Sequence, residues 1–190
     1  IAGAAGNIAA QAVARAAPDG YTILFTGGGT LVTNAYAFKS LPFNAAQDFA
    51  PVARITRASG FLVAVTAALP VTSIPELVAL VKSQPGKFSY ATDVSNIFVQ
   101  LAARMLNREA GTDITEIPYK STPQAIQDTV AGRTQMIIGA ASELQPVLKA
   151  GKLRLLAVTA SGRNPSFPGV PSLVEFYPAL QMDPVGFTVV

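Results

Sequence analysis

Apolar and polar residues follow one another along the chain with two periods, one typical of strands and one typical of helices. The stretch from Ser89 to Asn107 shows both in succession. A short β-branched and aromatic segment leads through a polar turn into an amphipathic segment with Ile97, Leu101 and Met105 on one helical face. Ser95, in the turn, is a residue type that caps helices through its hydroxyl. This stretch predicts a strand that passes into a helix through small polar residues.

The same order recurs along the chain and indicates the fold class. Capping-box patterns begin at Ser73 and Ser142, and each predicts the start of a helix. The predicted order is helix, strand, helix, two strands, and then strands that alternate with helices. Such alternation predicts an α/β fold with largely parallel sheets. The predicted helices cover 7–17, 31–38, 73–84, 97–107, 122–131, 142–150 and 172–175, and the predicted strands 21–26, 49–56, 61–68, 88–94, 114–119, 134–138, 153–160 and 185–190.

Composition narrows the function classes. Half of the 190 residues are hydrophobic, enough to build a substantial core. The net charge of +3 is small, and the cationic residues are scattered, which argues against a nucleic-acid interface. The chain has no Cys and no His, so thiol catalysis, Ser–His pairs and the usual zinc ligands are excluded. No carboxylate pair has the spacing of an acid–base dyad. We therefore predict a non-enzymatic protein with no catalytic residue, metal or cofactor.

Several predicted strand-to-helix turns consist of small residues, at 26–30, 92–96, 121–122 and 139–142. In an open α/β sheet such turns lie at the carboxyl edge of the strands, where ligands bind. Their free N–H groups suit a carboxylate or a phosphate. Ordinary helix caps would produce the same small residues, so each turn alone is also explained by folding.

Single residues in these turns have alternative interpretations. The three glycines at 27–29 lack the Lys-Ser/Thr of a phosphate loop and the spacing of a dinucleotide fingerprint, but they allow close backbone approach by a small ligand. Asp93 is typical of a capping or Asx-turn residue, or it could pair with an amine of a ligand. Lys120 is either a solvated charge at a strand end or a partner for a ligand carboxylate.

A set of short motifs, in order along nearly the whole chain, resembles one family. They are Gly6-Asn7-Ile8, 12–22 with Ala-Pro-Asp-Gly-Tyr-Thr, 41–43 with Leu-Pro-Phe, 48–52 with Asp-Phe-Ala-Pro-Val, 85–88 with Pro-Gly-Lys-Phe, 117–120 with Ile-Pro-Tyr-Lys, and 150–159 with Ala-Gly-Lys-Leu-Arg and Leu-Ala-Val-Thr. This pattern resembles the solute-binding receptors of tripartite tricarboxylate transporters, also called the Bug family.

The resemblance implies a periplasmic receptor with the two-lobed α/β fold of periplasmic binding proteins. A small carboxylated solute would be held between the lobes and delivered to the membrane subunits of the transporter. The lobes would comprise 1–60 and 61–155, with 156–190 returning to the first lobe. The implied ligand-binding residues are Thr26, Gly28, Gly29, Thr30, Thr92, Asp93, Ser95, Asn96, Tyr119, Gly139, Ala140 and Ala141.

The chain also departs from the family pattern. Family members begin earlier and continue further, so the resemblance implies a partial first lobe and a complete second lobe. An incomplete lobe would leave apolar faces uncovered, which predicts self-association. The turn after Ala91 lacks the glycines and the Ser-His that are usual in the family, so the solute preference does not follow from the resemblance. The alternative hypothesis is a ligand-sensing domain that regulates a partner protein.

Overall fold

The computed structural model describes residues 4–56, 60–94, 96–181 and 187–189. The chain forms two compact units. The first comprises Ile1–Ala58, Ser95–Phe98 and Pro184–Val190, and the second comprises Ser59–Val94 and Val99–Asp183. The lobe boundaries inferred from the resemblance stay a prediction.

The first unit contains a small antiparallel sheet and two helical segments. Its strands are β1 (Phe25–Gly27), β2 (Ala53–Arg54) and β8 (Phe187–Val189), and β8 lies between the other two. Helix α1 spans Asn7–Ala14, and a π-helical turn at Gly29–Thr33 leads into α2 (Asn34–Ala37). The sequence predicted longer strands at 21–26 and 49–56 and largely parallel sheets, and both expectations are wrong for this unit. The predicted strand at 185–190 lies partly outside the described residues.

The core of the first unit is small and built from few large residues. Ala10 of α1 packs with Leu24 and Phe43, all buried. The rings of Phe43 and Phe49 meet edge to face at 5.6 Å, an arrangement worth about 0.5–1.5 kcal/mol beyond the buried area. The loop 41–49 is thereby fixed against α1.

The second unit is a five-stranded sheet flanked by helices. Its strands are β3 (Leu62–Thr66), β4 (Ser89–Asp93), β5 (Thr115–Tyr119), β6 (Met136–Gly139) and β7 (Leu153–Val158), in the order β5-β4-β6-β3-β7. Its helices are α3 (Ile74–Ser83), α4 (Ile97–Ala110, whose first two residues group with the first unit), α5 (Thr122–Val130) and α6 (Ala141–Lys149).

Strand direction in this sheet follows from its pairing. β4 is parallel to β5 and to β6, whereas β3 is antiparallel to both β6 and β7. Four strands therefore run in one direction, and β3 runs against them. All five residues of β3 are buried, as expected for a central strand covered on both faces. Alternation of elements in the sequence predicts their order but does not reveal this reversal.

Two helices differ in detail from the prediction. The buried face of α4 consists of Val99, Ala102, Ala103, Leu106 and Ala110, while Leu101 is 44% exposed. Small alanines at the centre of a face let a helix lie close to its neighbours, which explains why this face is the buried one. Helix α6 begins at Ala141 rather than after Ser142, so the capping box predicted at Ser142 is wrong.

Two other predicted helix starts agree with the structure. Ser73 Oγ accepts a hydrogen bond from the N–H of Glu76 at the start of α3. A 3₁₀ turn at Leu173–Glu175 begins with a complete capping box between Ser172 and Glu175. In the part of the chain that the structure describes, no helix has both the length and the apolar character needed to cross a membrane.

Replacing Gly60 should destabilise the second unit more than replacing another glycine of similar conformation. Gly60 has φ +83°, and a Cβ there would lie 2.6 Å from the backbone nitrogen of Ala160. Gly132 has φ +77° with open space around its Cβ position. We expect Gly132→Ala to lower the free energy of unfolding by about 1–2 kcal/mol and Gly60→Ala by clearly more, measured by urea denaturation. Equal losses would contradict the predicted steric overlap.

The ion pair between Arg163 and Glu175 should make stability depend on pH in acid. Arg163 donates two hydrogen bonds to Glu175, at 2.9 and 2.8 Å. These bonds, with a further one from the N–H of Ser172, lower the pKa of Glu175 from 4.5 to about 2. Because the folded state has the lower pKa, the stabilisation is complete above about pH 4.5 and is lost as the pH falls towards 2.

The measurement is the urea midpoint of the wild type and of Glu175→Gln between pH 6 and pH 2.5. The wild type should be the more stable protein at pH 6, and the difference should shrink towards the acid end. A difference that stays constant over this range would show that ionised Glu175 contributes no stability of this kind.

Candidate functional site

Three strand-to-helix turns lie at one edge of the second unit. Because β4, β5 and β6 are parallel, their carboxyl ends meet at that edge. Asp93 pairs directly with Tyr119, and Ala91 with Ile137, so the end of β6 at Gly139 is level with Asp93. The structure thus brings Asp93, Tyr119 and Gly139 of the sequence prediction together.

Two further chain segments reach the same edge, and the sequence did not indicate them. Leu62 at the start of β3 pairs with Gly139 and with Val158 at the end of β7. The N–H of Phe61 donates to Thr159 Oγ1 at 2.9 Å. Only the reversed direction of β3 places residues 60–62 here, so a pattern of alternating elements could not have found them.

The turn after β4 is held by side chains of the unit itself. Thr122 Oγ1 at the start of α5 donates to Asp93 Oδ2 at 2.9 Å, and Gln100 Nε2 donates to the Asp93 carbonyl at 3.2 Å. The Asp93 carboxylate thus lies at the amino-terminus of α5, where the helix dipole favours negative charge. This position fits the capping role that the sequence suggested for Asp93.

The side chain of Thr92 is directed to a polar network beneath this turn. Its hydroxyl donates to Glu116 at 3.0 Å, and Glu116 also accepts hydrogen bonds from Arg104 at 2.9 Å and from the Tyr90 hydroxyl at 3.4 Å. Burial raises the pKa of Tyr90 to about 12, and the negative charge of Glu116 adds to the rise. The phenol therefore stays protonated as a donor, and the hydroxyl of Thr92 is already used by an acceptor within the unit.

Tyr119 likewise uses its side chain inside the unit. Its hydroxyl donates to Asp128 of α5 at 2.8 Å. Burial raises the pKa of Tyr119, and the bond to Asp128 raises it further. Arg133 lowers the pKa of Asp128 through its own hydrogen bond to that carboxylate. Next to this arrangement, Lys120 is exposed.

The turn after β6 already binds a carboxylate of the same chain, that of Glu143. Gly139 is buried, and a Cβ there would lie 3.3 Å from the side chain of Leu144. The N–H of Ala140 donates to Glu143 Oε2 at 3.2 Å. The amides of Ala141 and Ser142 belong to the first turn of α6 and have no intrahelical acceptor. The N–H of Ala140 is therefore already hydrogen-bonded to a side chain, whereas the N–H of Ala141 has no acceptor within its helix.

In the first unit, the two threonines of the predicted turn bind each other. Thr26 Oγ1 donates to Thr30 Oγ1 at 2.9 Å, and Thr30 Oγ1 donates to the carbonyl of Ala5 at 3.2 Å. Both threonines and Gly28 are buried, whereas Gly29 is exposed with open space around its Cβ position. The exposed backbone at Gly29 is the part of this turn that a small molecule can approach.

A buried polar cluster next to this turn went unnoticed in the sequence. Asn34 Nδ2 donates to the carbonyl of Ala5 at 3.0 Å and to Asn7 Oδ1 at 2.7 Å. Ala4, Ala5 and Gly6 have φ angles of +47°, +53° and +89°, and a left-handed backbone is strained by about 1–2 kcal/mol at each alanine. Asn7 belongs to the quoted Gly-Asn-Ile motif, but nothing in the sequence singled out Asn34.

Two predicted residues remain, Ser95 and Asn96. Ser95 lies outside the described residues. Asn96 is half-buried, precedes α4 and groups with the first unit. Within residues 4–56, 60–94, 96–181 and 187–189, no three Asp or Glu side chains are placed to hold a metal ion.

Comparisons with known proteins bear on the fold and the family of this chain. A UPF0065 protein of Bordetella bronchiseptica is 39% identical over 94% of this chain and 52% of its own length. The R. palustris protein Rpa4515, solved with adipate, superposes with a TM-score of 0.85 at 32% identity, over 97% of this chain and 61% of that one. The periplasmic binding protein BugD superposes with a TM-score of 0.76 at 27% identity, over 98% and 62%.

These figures confirm the predicted fold class, α/β of the periplasmic-binding-protein type. The chain spans about half the length of the curated relatives it matches. A further structure, described as a periplasmic transporter, superposes with a TM-score of 0.83 at 32% identity, over 98% of this chain and 62% of that one. Residues 1–189 match the model of the tripartite tricarboxylate transporter family receptor. The chain therefore belongs to the family of tripartite tricarboxylate transporter receptors.

Proposed function

We propose that this chain is part of a periplasmic receptor that captures a small carboxylated organic solute and delivers it to the membrane subunits of a tripartite tricarboxylate transporter. The observation that carries the proposal is the meeting of three strand-to-helix turns at one sheet edge, in a chain that belongs to a receptor family. The adipate in the related R. palustris structure supports a carboxylate as the ligand.

The backbone, rather than the side chains, is the expected source of the binding groups. The hydroxyls of Thr26, Thr92 and Tyr119 all donate to internal acceptors. Exposed Gly29 in the first unit and the first-turn amides of α6 offer N–H groups instead, and such groups favour an anion. In the first unit we expect a carboxylate of the solute near Gly28 to Thr30. In the second unit we expect one near the turns after β4 and β6.

Calorimetric titration of the 190-residue chain with a panel of carboxylates tests the proposal. The panel contains adipate, succinate, malate and aspartate, with an uncharged diamide of succinate as the control. We expect saturable binding of at least one carboxylate and none of the diamide, because only the carboxylate matches the positive polarity of the turns. A folded chain that binds none of the four would overturn the assignment.

Replacing Glu143 should increase the affinity for dicarboxylates. Its carboxylate accepts a hydrogen bond from the N–H of Ala140. The Glu143 carboxylate therefore competes with a solute carboxylate for the amino-terminus of α6, and its negative charge repels the solute. Glu143→Gln keeps a hydrogen-bond acceptor and removes the charge. We expect the Kd of a bound dicarboxylate to fall by about threefold to tenfold, the size of effect for one partly exposed charge.

The matched control is Glu109→Gln on α4, where the glutamate pairs with its neighbour Arg108. This change removes the same charge away from the carboxyl edge and should leave the Kd unchanged. If both variants bind equally more tightly, the effect reflects net charge rather than the position of Glu143.

A further inference from the structure

The turn after β1 has an uncommon backbone conformation. Residues Gly29–Thr33 form a π-helical turn, a conformation that is rare in proteins and is frequently found at functional sites. The N–H of Asn34 closes this turn by donating to the carbonyl of Gly29. Gly29 is exposed, whereas Asn34 is 2% exposed. The residue that a small molecule can approach is therefore hydrogen-bonded directly to a buried one.

The side chain of Asn34 connects this turn to a second segment of the chain. Its Nδ2 donates to the carbonyl of Ala5 at 3.0 Å and to Asn7 Oδ1 at 2.7 Å. Because a carbonyl can only accept, the nitrogen of the Asn34 amide must face Ala5. The second proton of that nitrogen reaches Asn7, which is 5% exposed and presents its oxygen. The orientation of both side-chain amides thus follows from one backbone carbonyl.

The segment that Asn34 holds is strained and packs closely against the turn. Ala4 and Ala5 have φ angles of +47° and +53°, which alanine adopts only where its surroundings impose them. A Cβ at Gly6 would lie 2.5 Å from Thr30 Oγ1, so the two segments are in direct contact. The hydroxyl of Thr30 also donates to the Ala5 carbonyl at 3.2 Å. Backbone strain of this kind is concentrated at ligand-binding sites and switch regions.

We propose that Asn34 is a positioning residue for ligand binding in the first unit. Its own N–H on one side, and its bonds to Ala5 and Asn7 on the other, hold the backbone of Gly29 in the conformation that presents an N–H to a solute carboxylate. This role rests on the proposed function, in which Gly28 to Thr30 contribute backbone groups. The side chain of Asn34 faces internal acceptors, so it acts on the solute through the turn and not by contact.

Asn34→Asp tests this role, because it keeps the shape of the side chain and removes both of the hydrogen bonds that the side chain donates. We expect the Kd to rise by about tenfold or more, since a buried donor to two acceptors is lost. The probe is whichever of adipate, succinate, malate and aspartate the wild type binds most tightly. Amide hydrogen exchange at residues 29–34, measured by NMR without solute, should become faster by a similar factor.

Two isosteric variants serve as controls, with each Kd measured at a temperature where circular dichroism shows the variant to be folded. Asn7→Asp adds the same charge to the same cluster but keeps the oxygen that accepts from Asn34, so its Kd should rise by less than about threefold. Asn107→Asp in the second unit also removes a hydrogen bond from a side-chain amide to a backbone carbonyl, that of Ile114 at 2.8 Å. It should lower the urea midpoint and leave both the Kd and the exchange at 29–34 unchanged.

Two results would overturn the proposal. The first is an equal rise of the Kd in Asn34→Asp and Asn7→Asp, because added charge would then be the cause. The second is an Asn34→Asp variant that loses stability with no change in Kd, because its role would then be purely structural. If Asn34→Asp does not fold, Asn34→Ser removes the same bonds without adding charge and is compared in the same way.

Failure of the proposed function gives a different result. A wild type that binds none of the four solutes would overturn the proposed function. Hydrogen exchange at residues 29–34 needs no solute, so it would still decide whether Asn34 holds the turn. Unchanged exchange in Asn34→Asp would show that it does not.

Discussion

The hydrogen-bonded parallel ladder of β4 with β5 and β6 is the constraint on which the rest of the second unit depends. Parallel pairing forces all three strands to end at the same edge, and each must return through a helix that starts there. The amino-termini of α5 and α6 are thereby brought to one edge without any specific side chain. The binding groups proposed for this chain are therefore backbone amides, which a chain with no His and no Cys can still supply.

Elements with strong local signals were predictable from the sequence. β3 and β7 are buried β-branched or leucine-rich runs, and Ser73 and Ser172 cap helices as their patterns indicated. The weaker predictions failed where tertiary pairing decides the outcome. β1 has three residues and β2 has two, and both pair with β8, a partner that no local pattern in either segment indicates.

The candidate site shows a similar division between what local patterns reveal and what packing decides. Small residues correctly indicated the turns at Asp93 and Gly139, because helix starts need such residues. The sequence could not reveal that Thr92 binds Glu116 or that Tyr119 binds Asp128, since both partners come from other elements. A buried hydroxyl must find a partner, and here the nearest acceptors lie within the fold.

The reversed direction of β3 also bears on how the second unit assembles. Leu62 pairs with Gly139 and with Val158, both of which follow it far along the chain. During synthesis, this strand, which is apolar except for Thr66, leaves the ribosome long before either neighbour exists. Such non-local pairing slows folding and lengthens the time for which apolar, aggregation-prone surface is exposed to solvent. We therefore expect chaperones to protect the nascent chain chiefly at residues 62–66, which form the fully buried strand β3 in the folded protein.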